Sequence, residues 1–184
     1  MNQEITVIVG LGNPGPRFLF NRHNSGFLIL DALARRYNAQ WHEKNNYLYA
    51  TIPFAYYTIM LVKPYTFMNN SGAVFSALKK QGIQKENILV VHDELELPFG
   101  TIVFKFDGSA RGHNGLKSII QVIGKDFLRL RFGIGRPQHK EDVQHYVLED
   151  FPDIQLLQTT IDTAVDVILK YVEESFNSEN CDNG

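Results

Sequence analysis

Two segments of this sequence combine residue types that could carry out acid–base chemistry. His23 lies in the segment NRHNSG, and Asp93 lies in the segment VVHDE, directly after His92. Histidine is the usual general base near neutral pH, and a carboxylate bound to its second ring nitrogen fixes its tautomer and stabilises its charged form. His23 and Asp93 are therefore a candidate pair for activating a water molecule.

Three asparagines lie in segments that could complete such a site: Asn13 in GLGNPG, Asn69 in FMNNSG and Asn114 in GHNG. An amide can hold a substrate carbonyl or a developing oxyanion, and one such donor is worth about 10²–10³-fold in rate. The same positions suit asparagine as a turn or helix-cap residue, and a loop histidine such as His23 can also be a surface or capping residue. Taken singly, each of these residues could have only a turn, capping or surface role.

The sequence shows no evident covalent nucleophile beside the histidines and no evident set of metal ligands. The sequence has no GxSxG motif, and its one cysteine, Cys181, lies in a polar C-terminal segment. It also lacks a Cys/His cluster, an HExxH motif and a Walker loop, so we expect no metal and no other cofactor. The glycine-rich GLGNPG does not have the GxGxxG spacing of a dinucleotide-binding loop.

Alternating apolar and amphipathic segments predict the elements that would position these residues. We predict strands at 5–10, in two runs within 46–62 that are separated at Pro53, and at 87–93, 101–106 and 128–135. We predict helices at 24–38, 70–82 and 113–124, each with a polar or capping start, and a last helix from near Pro152 to about Phe176, followed by a polar, frayed tail at 177–184. This order predicts an α/β fold: a single domain, residues 1–184, whose mixed, twisted sheet has helices on both faces.

The predicted sheet explains how distant segments could meet. In α/β proteins, functional residues collect at the carboxyl ends of strands and in the loops that follow them. His23 follows the strand at 5–10 and Asp93 ends the strand at 87–93, so the two side chains could be neighbours. The polar stretch 137–150 is a candidate lid over the same edge.

Composition and charge narrow the class of protein. The chain has 184 residues, is 44% hydrophobic and has a net charge of −2, which is ordinary for a globular domain. Its single cysteine and the lack of a signal-peptide pattern or long apolar run predict a cytoplasmic protein without a membrane partner. Residues 101–140 carry eight Lys/Arg against two Asp/Glu, which is either a phosphate-binding surface or a solvated charged face.

Five motifs together resemble bacterial peptidyl-tRNA hydrolases in order and spacing: VGLGNPGPRFLFNRHNSGF, KPYTFMNNSG, VVHDELELPFG, GHNGLKSI and RLRFGIGRP. The resemblance extends from about residue 5 to about residue 170. It implies a monomeric α/β esterase that needs no metal. The implied substrate is peptidyl-tRNA shed from stalled ribosomes, from which the enzyme frees the tRNA.

The resemblance also implies roles for individual residues. His23 is similar to the base that deprotonates water, Asp93 to its orienting carboxylate, and Asn13 to the residue that reads the acylated amino group. The remaining matches are substrate contacts near the ester, Asn69, Asn114 and Phe67, and the basic tRNA-phosphate contacts Lys105 and Arg131.

Two positions depart from the pattern of the family. The family usually has tyrosine where this chain has Phe18, so we expect packing against the peptide or the terminal adenosine and no polar role. The segment GSARG replaces a more glycine-rich stretch, and Arg111 within it could add a phosphate contact.

Two other functions stay open from sequence. The family resembles plant chloroplast splicing factors, so the chain could be a non-catalytic RNA-binding relative, although all five polar site residues are present. From the residues alone, a small esterase for a substrate without nucleic acid is also possible. Inhibition of cleavage by competing tRNA would distinguish a peptidyl-tRNA hydrolase from such an esterase.

Overall fold

A seven-stranded sheet forms the centre of the fold. The computed structural model describes the backbone of residues 4–181 and the side chains of residues 4–176. The strands are β1 Val7–Gly10, β2 His42–Lys44, β3 Tyr47–Phe54, β4 Tyr57–Pro64, β5 Ile88–Glu94, β6 Ile102–Phe106 and β7 Leu128–Gly133. They lie in the order β2-β3-β4-β1-β5-β7-β6. The pairs β4-β1, β1-β5 and β5-β7 are parallel and the others antiparallel, which confirms the predicted mixed sheet.

Helices cover both faces of this sheet, as predicted. They are α1 Ser25–Arg36, α2 Ala73–Lys80, α3 Asn114–Ile123, α4 Val143–Leu148 and α5 Ile154–Cys181. One apolar core joins α1 and α5 to the sheet, and a second joins α2 and α3 to alternate strand residues. All seven residues of β5 are buried because the strand has helices on both sides, as its continuous apolar sequence predicted.

Sequence reasoning misplaced some boundaries. Strand β3 is not interrupted at Pro53, which pairs with Thr58, and the turn comes at residues 55–56. Proline is tolerated there because β2 pairs only with residues 47–49 of β3, so the other edge of Pro53 is open. The last helix continues to Cys181, past the predicted end at Phe176. Residues 182–184 of the predicted tail lie outside the described residues.

Strand β2 and helix α4 were not predicted. Strand β2 consists of three exposed polar residues, so it has no apolar alternation to reveal it. Helix α4 spans under two turns of the segment 137–150, which is too short to show a helical period. Among residues 4–181, no helix is both long and apolar enough to cross a membrane.

Close backbone packing fixes the start of α1 on the sheet. A Cβ added at Gly26 would lie 2.3 Å from the backbone nitrogen of Leu11 and 2.5 Å from the carbonyl oxygen of Val91. Only glycine leaves room for this approach. The contact brings the turn before α1 directly against the carboxyl ends of β1 and β5.

Candidate active site

His23 and Asp93 meet at the carboxyl ends of the parallel strands. His23 lies in the 3-10 turn Arg22–Asn24 ahead of α1, and Asp93 lies near the end of β5. The Nδ1 atom of His23 is 2.9 Å from Oδ1 and 3.0 Å from Oδ2 of Asp93. Both side chains are buried, and His23 lines a cavity. The structure therefore joins the two residues that the sequence paired.

A third residue, His113, completes the group and was not predicted to do so. Its Nε2 atom lies 3.0 Å from Oδ1 of Asp93. Its Nδ1 atom accepts hydrogen bonds from the backbone N–H groups of Gly115 and Leu116, and thereby caps α3. Because Nδ1 is an acceptor, the proton of the neutral ring is on Nε2, which donates to Asp93.

The same reasoning assigns the proton on His23. The carboxylate of Asp93 is an acceptor, so Nδ1 of His23 carries the hydrogen and donates it. Its Nε2 atom is then unprotonated and carries a lone pair, and it receives no hydrogen bond from the described residues. A ring nitrogen in this state is available to take a proton from water.

The electrostatics keep Asp93 ionised. Burial by itself would raise the pKa of Asp93. However, the adjoining imidazoles of His23 and His113 and their hydrogen bonds hold this pKa well below its ordinary value. The ligand atoms of the three side chains lie within 4.8 Å of one another, close enough to be candidate metal ligands. In the structure, the carboxylate accepts hydrogen bonds from two imidazole N–H groups.

His92, beside Asp93 in sequence, behaves differently. Burial, together with the neighbouring His113, lowers the pKa of His92 to about 3, so the ring is neutral near pH 7. Its Nδ1 donates to the backbone carbonyl oxygen of Asp93 over 2.7 Å. The Nε2 atom is buried and has no hydrogen-bond partner among the described residues.

Asn13 is held with one side-chain orientation. Its Oδ1 atom accepts a 2.8 Å hydrogen bond from the backbone N–H of Met68. The amide group of Asn24 binds the backbone of Asn13 twice, at 2.9 Å to the N–H and 3.0 Å to the carbonyl. The Nδ2 group of Asn13 is therefore the part left to meet a ligand.

The role of Asn24 corrects one sequence interpretation. The capping start predicted for the helix at 24–38 implied that Asn24 caps it. Its side chain makes no capping hydrogen bond and binds the backbone of Asn13 instead. Asn114 also does not cap α3, because it is the first residue of that helix and His113 is the cap. Sequence reasoning missed the roles of Asn24 and His113 because both residues stand at helix starts, where capping alone explains their presence.

The other predicted substrate contacts surround this centre at different depths. Asn114 is exposed and lines the cavity that contains His23. Asn69 and Phe67 are exposed on the loop after β4, next to the Met68 that binds Asn13. Phe18 packs edge-on against Phe67, with ring centroids 6.4 Å apart.

A cavity of about 340 Å³, here called the basic cavity, extends from His23 toward β6 and β7. Six cationic residues line it: Lys105, Arg111, Arg129, Arg131, Arg136 and Lys140. Arg131 pairs with Glu94 through Nε at 2.8 Å, and Arg136 pairs with Glu96. For the other four, no carboxylate of the described residues lies within ion-pair distance.

The interior of the basic cavity includes a buried arginine that the strand alternation did not anticipate. Arg129 is 3% exposed, and its guanidinium donates to the carbonyl oxygens of Gly108, Ser109 and Lys125. These bonds hold the loop between β6 and α3, where Asp107 and Arg111 have positive φ angles. Burial lowers the pKa of Arg129 from its ordinary value, but an arginine stays protonated near neutral pH.

The segment 137–150 forms one wall of the basic cavity through Lys140, Val143, Gln144 and Val147. It is tied to the turn that contains His23. The guanidinium of Arg22 donates to the carbonyl oxygen of Tyr146 over 3.0 Å and stacks 4.0 Å over the ring of Tyr146. The segment therefore has a helical part, α4, and a direct connection to the turn that contains His23.

Comparison with known proteins agrees with this geometry. The family model described as peptidyl-tRNA hydrolase matches residues 7–182. The peptidyl-tRNA hydrolase of Ehrlichia canis is 41% identical, over 92% of this chain and 89% of its own length. That of Aliarcobacter butzleri is 45% identical, over 82% and 81%.

A solved structure extends the likeness to three dimensions. The crystal structure of peptidyl-tRNA hydrolase from Acinetobacter baumannii aligns with a TM-score of 0.86 and 36% identity, covering 98% of this chain and 92% of that one. With a family match over nearly its whole length and relatives above 40% identity, this chain belongs to the peptidyl-tRNA hydrolase family.

Proposed function

We propose that this protein hydrolyses the ester bond of peptidyl-tRNA, with His23 as the general base and Asp93 as its orienting carboxylate. The observation that carries the proposal is the buried hydrogen bond from His23 to Asp93, which leaves Nε2 of His23 unprotonated beside the basic cavity. Because no serine or cysteine nucleophile is part of this group, the attacking group is water.

In the proposed reaction, Nε2 of His23 takes a proton as the water oxygen attacks the ester carbonyl carbon. The negative charge that develops on the carbonyl oxygen is stabilised by an amide N–H, for which Asn114 at the cavity wall is the candidate. The protonated His23 then returns its proton to the leaving 3′-oxygen of the tRNA ribose. The peptide leaves with a new carboxyl group, and Asp93 stays ionised throughout.

Asn13 supplies a basis for rejecting ordinary aminoacyl-tRNA. Since its Oδ1 is occupied by Met68, its Nδ2 can only donate, and the matching acceptor is the carbonyl oxygen of an N-acyl group. Aminoacyl-tRNA has no such carbonyl and presents a protonated amine, another donor. The buried amide would then be left unpaired, which penalises binding of the wrong substrate.

The basic cavity is proposed to bind the tRNA backbone. Lys105 and Arg131 would contact phosphate, and Arg111 could add a further contact from the loop before α3. Binding through phosphates carries no sequence information, which suits an enzyme that must accept many tRNAs. Affinity should fall as salt rises, because each neutralised phosphate releases counterions.

The remaining predicted residues would grip the substrate near the ester. Asn69 is an exposed amide on the loop after β4, and Phe67 and Phe18 offer two aromatic rings in edge-on contact. Phe18 has no hydroxyl group, so its proposed part is packing alone.

The proposal is tested by the release of an N-acetylated amino acid from tRNA without added metal. We expect the wild type to cleave and His23→Ala to lose about 10²–10⁴-fold in rate while still binding tRNA. The matched control is His42→Ala, an exposed histidine on β2, which should cleave like the wild type. Binding without cleavage by the wild type would indicate an RNA-binding relative, and equal cleavage by His23→Ala would place the base elsewhere.

A further inference from the structure

A second cavity, of about 280 Å³, is lined by Asn13 and by the loop that follows β1. It is called the apolar cavity here. Its walls come from the loop after β1, from α1 and from the β3–β4 hairpin, and the apolar side chains that form them include Leu19, Phe27, Leu28, Leu48 and Tyr65. Asn13 and Asn24 line this cavity and not the basic one.

The apolar cavity has no net charge to offer a ligand. Its one cation, Lys63, is buried and lies 2.5 Å from the carboxylate of Asp31. The amine also sits 4.1 Å from the ring centroid of Trp41 and 5.4 Å from that of Phe27. A phosphate group would meet no uncompensated cation in this cavity. An uncharged apolar group could enter without the loss of an ionic interaction.

The entrance is apolar and open to solvent. Leu19 is 48% exposed and Tyr65 47% exposed, although both are large apolar residues. At Gly15, on the same rim, an added Cβ would have no atom within 4 Å. Large exposed apolar side chains around a concave surface are typical of a ligand-binding site.

We propose that the apolar cavity binds the side chain of the penultimate peptide residue, the one whose carbonyl oxygen Asn13 recognises. This inference rests on the proposed function, because it takes Nδ2 of Asn13 as the donor to that carbonyl. It also takes the basic cavity as the site of the tRNA, so that the peptide leaves the ester past Asn13, which lines the apolar cavity and not the basic one. The residue that presents its carbonyl to Asn13 then places its side chain at the entrance lined by Leu19 and Tyr65.

The test compares three substrates on one tRNA with the same C-terminal amino acid. The penultimate residue is leucine, glycine or aspartate, each N-acetylated, and N-acetylaminoacyl-tRNA is assayed in parallel. We expect kcat/KM to be roughly 10- to 100-fold higher for leucine than for glycine, because the leucine side chain becomes buried. Aspartate should be no better than glycine, since its charge would be buried without a partner.

Two variants locate the preference in this cavity. Leu48→Trp fills it, and the ratio of kcat/KM for leucine over glycine should fall toward one. Tyr56→Trp is the matched control: it adds the same ring to the same hairpin at a position that is 93% exposed, and should keep the wild-type ratio. If Leu48→Trp does not fold, Leu48→Ala enlarges the cavity and should shift the preference toward a penultimate phenylalanine.

The outcomes separate this inference from the proposed function. A wild type that cleaves N-acetylaminoacyl-tRNA but has equal kcat/KM for the three peptides overturns the apolar cavity as a subsite and leaves hydrolysis intact. The same holds if Leu48→Trp and Tyr56→Trp keep the same leucine preference. A wild type that cleaves none of the substrates overturns both.

Discussion

The basic cavity and the apolar cavity each contain a buried cation, but the two cations are compensated differently. Lys63 in the apolar cavity has the carboxylate of Asp31 at 2.5 Å. Arg129 in the basic cavity donates only to backbone carbonyls, and no described carboxylate lies within ion-pair distance of it. The charge of Lys63 is cancelled locally, whereas the charge of Arg129 acts on whatever enters the cavity.

The difference between the two cavities shows that the net charge a ligand meets depends on which cations lack a carboxylate partner. The number of cations that line the cavity does not decide it. Arg131 and Arg136 in the basic cavity are paired with Glu94 and Glu96, so they contribute less than a residue count suggests. The division between the two cavities leads to four expected outcomes, given in order of decreasing size.

Asp93→Asn should have the largest effect, because Asp93 lines the basic cavity and binds both His23 and His113. Both carboxylate oxygens lie within 3.0 Å of Nδ1 of His23, so the amide N–H₂ in either position would put a donor against this N–H group. His23 would then favour the wrong tautomer, and we expect kcat to fall by about 10²–10⁴-fold while tRNA binding persists. Single-turnover cleavage and filter binding measure the two quantities; a loss of binding equal to the loss of rate would contradict the division.

His92 tests whether a buried base in the basic cavity contributes charge. Its pKa is about 3 in the folded protein and 6.5 in an unfolded chain, so the unfolded chain binds the proton first as pH falls. Its contribution to the free energy of unfolding is therefore intact above pH 6.5 and is lost as pH falls toward 3. Between pH 7 and pH 5 this loss is about 2 kcal/mol, from the linkage of proton binding to unfolding.

His92→Asn should flatten that slope, because an asparagine amide can still donate to the carbonyl of Asp93 but does not titrate in this range. Urea denaturation at pH 7, 6 and 5 measures the difference. The matched control is His139→Asn at an exposed position, which should keep the wild-type slope. Equal slopes for wild type and His92→Asn would show that folding does not lower the pKa of His92.

Lys63→Met tests the compensated cation. It leaves Asp31, which is partly exposed, without its partner, and we expect a loss of about 1–2 kcal/mol in the free energy of unfolding. Lys105→Met is the matched control, because Lys105 has no carboxylate partner in the described part of the chain, and its stability should equal that of the wild type. A loss of equal size in both variants would remove the distinction between the cavities.

The same two variants should exchange their effects in tRNA binding. Lys105→Met should lower the slope of log Kd against log salt by about one, since one phosphate contact is lost. Lys63→Met should keep the wild-type slope because its charge is already cancelled. Titrations of tRNA at several salt concentrations give both slopes, and a changed slope for Lys63→Met would show that the apolar cavity also contacts phosphate.

The sequence was sufficient to predict that His23 and Asp93 could be neighbours, because hydrophobic patterns locate the strands and functional residues collect at the carboxyl ends of strands in an α/β sheet. The loop with His23 and the end of β5 with Asp93 had to meet once β1 and β5 were neighbours. The apolar runs also predicted which elements are buried. Short polar elements such as β2 and α4 carry no such period, so their existence depends on the rest of the fold.

Sequence could not show how the polar side chains share hydrogen bonds. Asn24 and His113 both stand where helix-cap chemistry explains their presence. In the structure, Asn24 gives up the cap to hold the backbone of Asn13, and His113 keeps its cap and also binds Asp93. The choice between these bonds depends on residues eleven or twenty positions away, which local patterns do not contain.

Because both ring nitrogens of His113 form hydrogen bonds, the first turn of α3 can report on the state of the Asp93 carboxylate. The backbone amides of Gly115 and Leu116 donate to one nitrogen of this ring, and the other nitrogen donates to Asp93. A change at the carboxylate reaches these amides through a single imidazole. Their nuclear magnetic resonance shifts and hydrogen-exchange rates thus offer a label-free view of the dyad in the resting enzyme, without a chromophore or a substrate analogue.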